Sequence, residues 1–203
     1  MNKKVVIGIV VGGVALIAIA CCVGVILIGR QASRDAKELE DEFGSLLAVC
    51  EGGVADGAAA YTPGSGVHPT MGVGPGYGDS LSLEKSIIPD EAQPETLGET
   101  ELVLCVGKQE KILVESCEYF SMDDEEEEET LAVIERYAYE REVTLIEAKT
   151  GEVVAQETLK GTEPDECPEE ARFSDEGETK TETGGTVSDK DVEEWVRSYA
   201  VEP

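Results

Sequence analysis

The 25 residues from Val5 to Gly29 carry no charged side chain, and nothing else in the sequence restricts the chain's fate so strongly. At about 1.5 Å of rise per residue, a helix of that length spans the roughly 30 Å hydrocarbon core of a bilayer. A lipoprotein signal is the competing reading, because "AIAC" at Ala18 to Cys21 puts small residues before a cysteine. Yet Ala18 stands where such signals carry a larger aliphatic residue, and the apolar run continues through "CVGVILIG" instead of stopping. The length therefore favours an uncleaved transmembrane anchor, with Cys21 and Cys22 as small buried residues or palmitoylation sites.

Orientation is not settled by the flanking charges. Lys3, Lys4 and the terminal amine on one side balance Arg30, Arg34 and Lys37 on the other. Two other features break the tie. Cys50, Cys105, Cys117 and Cys167 form an even set without metal-type C-x-x-C spacing, which suits an oxidising compartment. The acid lies on the same side. The expectation is a short cytoplasmic N-terminus over residues 1–4, a transmembrane anchor over 5–29 that doubles as the export signal, and an extracytoplasmic remainder.

The whole chain carries 16 basic and 44 acidic residues, a net charge of −28. With Lys3, Lys4 and Arg30 set aside, residues 31–203 carry −31. Phosphate binding needs the opposite sign, so nucleic acid is excluded as a partner, and anionic lipid is repelled. Such a charge favours solubility, cations or a basic partner.

Beyond the anchor, residues 30–50 read as a juxtamembrane helix. Ala36, Leu39, Phe43, Leu46 and Leu47 recur near helical spacing, and the "GG" after Cys50 ends it. Residues 51–100 read as a glycine- and proline-rich loop region. Its "GVGPGYG" is no dinucleotide fingerprint, because the glycines alternate around a proline with no preceding strand, and no Walker motif occurs. Residues 101–203 read as an antiparallel sheet and a C-terminal helix. "ELVLCVGKQEKILVESCEYF" looks like a hairpin about "GKQE", and Tyr137–Ala148 with Glu152–Leu159 like a second about "KTGE", Gly151 supplying positive φ. Ser188 and Asp191 approximate a capping box before the stripe Val192, Trp195, Val196 and Tyr199. The fold class expected is α+β: a transmembrane helix, then a small domain with a four-stranded antiparallel meander, two flanking helices, long loops and disulfide staples.

In such a meander Cys117 and Cys167 fall at the same end of the sheet. A tight turn at Gly107–Glu110 sets Cys105 opposite about Ile112 rather than Cys117. Of the three pairings that four cysteines allow, Cys50 with Cys105 and Cys117 with Cys167 fits best.

No residue set announces chemistry. His68 is the sole histidine and stands in a loop without evident partners. The seven acids Asp123–Glu129 lack the spaced oxygens and sharp-turn glycine of a calcium loop, and read as a solvated run. Trp195, the sole tryptophan, reads as a core anchor. No catalytic residue, metal ligand or cofactor is assigned.

The ordered set "VCEGG", "GAAAYTPGSGVHP", "IPDEAQPETLGETELVLCVG", "SCEY", "TLIEAKTGEVVA", "GTEPDECP" and "TVSDKDVEEWV" resembles a group of uncharacterised bacterial proteins, many from filamentous phototrophic bacteria. These carry a similar extracytoplasmic domain behind a membrane or lipid anchor. The resemblance runs from about Val49 to Val196, apart from the acidic and glycine-rich stretches. It implies location and four paired cysteines, and lends no activity. Some members end at a lipid-attachment cysteine, where this chain continues.

The function expected is a single-pass membrane-anchored binding or structural module that contacts an extracytoplasmic protein or polymer. The alternative is an acidic, calcium-associated surface protein. A carboxylate-dependent enzyme ranks third, since serines lack a histidine partner and exported cysteines are oxidised.

Overall fold

The computed structural model describes residues 37–64, 66–120, 132–175 and 177–201. The apolar run Val5–Gly29 and the acidic run Asp123–Glu129 lie outside them. Among the described residues no helix is long and apolar enough to cross a membrane. The chain divides after Gly44 into two compact units. The described part of the first is α1, helical over residues 37–43. At Gly44 the winding tightens to a 3-10 helix, Gly44–Glu51, which Gly52 ends with φ 86°. The single helix expected to run to Cys50 is therefore α-helical only as far as residue 43.

The four-stranded antiparallel meander does not form. Instead the second unit, Ser45–Pro203, holds a mixed sheet of seven strands. These are β1 (Thr70–Pro75), β2 (Leu81–Glu84), β3 (Leu102–Val106), β4 (Glu110–Tyr119), β5 (Ala132–Glu147), β6 (Val153–Lys160) and β7 (Thr179–Thr183), followed by helix α2 (Asp189–Ala200). The sixteen-residue β5 organises them. Val143 faces Val106 of β3 and Glu157 of β6, while Ile134 faces Cys117 of β4 and Lys180 of β7. Glu140 lies between Glu110 of β4 and Lys160 of β6. Hence β3 and β4 share one edge of β5, end to end, and β6 and β7 share the other. β1 pairs parallel to β3, with β2 antiparallel outside it.

The "GKQE" segment is therefore no hairpin turn. A two-residue hairpin turn needs positive φ at a central residue, and neither Lys108 nor Gln109 has it. The Gly107 N–H instead donates to Glu142 O at 2.8 Å, continuing the ladder with β5. Gln109 then docks the approach to α2, its amide nitrogen donating to Val187 O at 2.7 Å and its oxygen accepting from Val187 N at 3.3 Å. The turn at Gly151 (φ 75°) does join β5 to β6.

Burial is concentrated in the upper half of the sheet. Leu102, Leu104 and Val106 of β3 and Val143 and Leu145 of β5 form one face, covered by Val192, Val196 and Ala200 of α2. Ile87, Ile88 and Ala92, from the crossover joining β1 to β3, fill the same cluster. Trp195 and Tyr199 pack against its margin, and the indole N–H donates to Glu157 at 2.7 Å. On the other face Cys50, in the 3-10 helix, is bonded to Cys105 of β3 (Cα–Cα 5.6 Å). The stretch read as a glycine-rich loop thus contributes a buried strand, β1. A side chain at Gly72 would overlap the Glu84 carbonyl and crowd Ile87 at 3.1 Å, so glycine there permits the close approach of β2 and the crossover.

The chain changes layers where β6 ends. Gly161 N donates to Tyr139 O and Gly184 N to Tyr137 O, so adjacent β5 carbonyls are served by the end of β6 and by the residue after β7. A Cβ at Gly184 would overlap the Thr162 carbonyl oxygen. Gly184→Ala is expected to lower stability by more than about 2 kcal/mol by overpacking. Gly98→Ala, at an uncrowded site, should stay within about 0.5 kcal/mol in the same denaturant titration.

Helix α2 starts as the sequence reading has it. Ser188 Oγ accepts from Asp191 N, and the Asp191 carboxylate accepts from Ser188 N at 2.9 Å and from its hydroxyl at 2.7 Å. The Ser188 hydroxyl first, and then its backbone N–H, hold the Asp191 carboxyl below the usual aspartate range. Folding therefore favours the charged form, a contribution complete above that range and lost as pH falls through and below it. The stability gap between the wild type and Asp191→Asn, read from Trp195 fluorescence, should be widest near neutral pH and close in acid. A gap constant with pH would refute the assignment.

Candidate functional site

The lower half of the sheet, where β4, β5 and β7 run side by side, has little apolar material to bury. Its inward face is Cys117 and Tyr119 of β4 with Ala132, Ile134 and Arg136 of β5, paired across the strands. The chain leaving β6 crosses this face as a strap over residues 161–175. Two devices hold it there. Cys167 is bonded to Cys117 (Cα–Cα 5.9 Å). Arg136, only 6% exposed, donates through Nε to Asp165 O at 2.6 Å, through Nη2 to Pro164 O at 2.9 Å and through Nη1 to Glu115 at 2.5 Å. Guanidinium suits this place because its rigid fork satisfies three acceptors at once.

Farther along, the Tyr119 hydroxyl donates to Pro168 O at 2.8 Å, and its ring meets Phe173 at 5.3 Å between centroids. Burial, with the nearby Glu182 charge, pushes the Tyr119 hydroxyl up, so it remains a donor. Lys180 lies over the Phe173 ring at 4.7 Å and donates to Arg172 O. The strap then turns back, the Ser174 N–H donating to Glu178 and holding that carboxyl below the usual glutamate range.

Between the strap and β4 lies a groove of about 1180 Å³, lined by Glu115–Phe120, Ala132 and Cys167–Asp175. Tyr119, Phe120 and Phe173 supply aromatic surface, with Phe120 52% exposed. Glu115, Glu118, Glu169, Glu170 and Asp175 set exposed carboxylates around it, against Arg172 as the one base in the lining among the described residues. Such a site can hold a cation against aromatic faces and carboxylates. A second hollow of about 270 Å³ beside Cys50–Cys105 offers one carboxylate, Glu142, which already accepts from Gln156.

The four cysteines of the sequence analysis are thus joined in the two pairs named there, although the topology that suggested those pairs is different. His68 is buried rather than loose in a loop. Its Nδ1 lies 2.7 Å from Glu101 Oε2 and its Nε2 3.2 Å from Gly64 O, with the Tyr61 ring edge-on at 4.9 Å. Both ring nitrogens are engaged, so the imidazole ties the 61–70 segment to the start of β3 and has no free position for a substrate proton. Glu101, 33 residues away, is the partner that the sequence did not reveal. Among the described residues, the group of side chains close enough to share a metal ion is Glu115, Cys117 and Cys167. The two sulfurs are already bonded to each other, which removes them as thiolate ligands.

No family model, curated protein or solved structure matches the chain.

Arg136→Lys keeps the charge but loses the fork, leaving buried strap carbonyls unpaired at about 1–3 kcal/mol each. It should lower the melting temperature and speed proteolytic cleavage within residues 161–175. Wild-type cleavage rates would show that Arg136 does not hold the strap.

Proposed function

We propose that this chain is a membrane-tethered, extracytoplasmic binding module that holds a cationic partner in the groove beside β4. The observation that carries this reading is the groove itself. Aromatic surface and exposed carboxylates are brought together by a strap fixed with a disulfide and a buried arginine. Disulfides support an oxidising compartment, and the uncharged run Val5–Gly29 supports a tether. The carboxylates stand exposed at the rim rather than paired in a closed pocket, an arrangement for recognition more than for acid–base chemistry. A net charge of −28 also draws cationic partners toward the domain.

The test uses the full chain in detergent micelles, titrated with hexalysine at physiological salt and followed by amide chemical shifts. The shifts should cluster in residues 115–120 and 167–175. The double variant Glu169→Lys/Glu170→Lys should weaken binding about tenfold through lost charge complementarity. Shifts spread evenly over the acidic surface, or an unaffected double variant, would refute a groove-specific site. Heat stability raised by calcium and not by magnesium would favour the cation-binding alternative instead.

A further inference from the structure

We infer that the partner enters this groove as an extended, basic polypeptide segment that adds a strand to the free edge of β4, an inference that rests on the binding reading above. Six consecutive residues, Glu115–Phe120, line the groove. Successive side chains of a strand point to opposite faces, so a hollow on one face would meet alternate residues. Consecutive lining places the groove along the edge of the strand, where the backbone is exposed. One edge of β4 pairs with β5, and among the described residues no strand pairs with the other. Among the described residues, no backbone hydrogen bond from a loop reaches residues 115–119 either.

The length and chemistry of the edge narrow the occupant. A bulge between Leu113 and Glu115 interrupts the ladder with β5. It sets the exposed Ile112, Leu113 and Val114 apart from the regular stretch Glu115–Tyr119. That stretch accommodates roughly five residues of a partner, about 17 Å at strand spacing. Glu115 shares the strap face with Cys117 and Tyr119, and Glu118 lies on the opposite face with Ser116. One row of an added strand therefore meets Glu118, and the row on the strap side meets Glu169 and Glu170 at the groove wall, beside Glu115, whose charge is already shared with Arg136. Lysine or arginine at alternate positions satisfies these acids, while main-chain hydrogen bonds supply affinity, as in other strand additions. A second copy of β4 would bring Glu110, Glu115 and Glu118 against the same carboxylates, so the charges select a basic strand over self-pairing.

The experiment compares two end-blocked peptides on the full chain in detergent micelles. One is Lys-Val-Lys-Val-Lys-Val-Lys. The other has the same sequence with three successive central amides N-methylated, so that neither of its edges can pair. The unmodified peptide should bind in the groove and protect amides of residues 115–119 from hydrogen exchange, and N-methylation should weaken binding at least about tenfold. Equal binding of both peptides in the groove would overturn strand addition while leaving the cationic site intact. Binding of neither would overturn both. Dimers in sedimentation without peptide, with the same amides already protected, would assign the edge to a second copy and refute the basic partner.

Discussion

One strand carries this domain. β5 runs sixteen residues, and each of its edges serves two partners in succession, β3 then β4 on one side and β6 then β7 on the other. A strand so shared must keep one register over its whole length, because a one-residue slip turns every side chain to the opposite face. The register is held from its C-terminal half, where Val143 and Leu145 are buried against α2 and the β1–β3 crossover. The other half inherits that alignment. The irregularities observed, between Leu113 and Glu115 in β4 and between Leu145 and Ile146 facing β6, absorb local mismatch without shifting the rest.

The two halves are stabilised by different physics. Above, apolar side chains close a core on both faces of β3, and burial does most of the work. Below, Ala132, Ile134 and Cys117 are the buried apolar residues among those described, too few to hold a covering segment by burial alone. The strap is instead held by one covalent bond and by Arg136. Closing a loop of about fifty residues contributes roughly 4 kcal/mol in the chain-entropy account. This explains how a polar, proline-marked stretch can form one wall of a groove at all.

Local signals in the sequence translated well. The Ser188–Asp191 box, the apolar stripe of α2, the turn at Gly151 and the strands around Cys105 and Cys117 are each written within a few residues. What failed was non-local. Gly107 looks the same in sequence whether it turns the chain back or passes it straight along β5, and only the vacant Glu142 carbonyl decides. β1 is hidden because Gly72 meets the backbone of β2 and Ile87, a contact that no periodicity shows. β7, "TKTET", has no apolar residue to mark it and exists because β5 offers an edge. The disulfide pairs came out of a sheet that does not exist, since the strap brings Cys167 to Cys117 by crossing the face rather than by descending a fourth strand. The groove was invisible for the same reason. Its two walls lie about fifty residues apart in sequence, and the available hints were Phe173 in a polar stretch and the prolines bracketing Cys167.

The acidic charge of the chain bears directly on the free edge of β4. An edge strand with exposed Ile112, Leu113 and Val114 is the kind of surface through which sheets aggregate. Here the bulge breaks its regularity and glutamates flank it on both sides, at Glu110, Glu115 and Glu118. The same glutamates that make one copy a poor partner for another lower the cost of approach for a strand of opposite sign. Under the proposed strand addition, protection against self-association and selection of a basic partner would be one property of the edge, expressed through repulsion in the first case and attraction in the second. The strap adds Glu169 and Glu170 from the far wall. The lysines or arginines of the proposed partner would therefore be met from two sides only if the disulfide and Arg136 keep that wall in place.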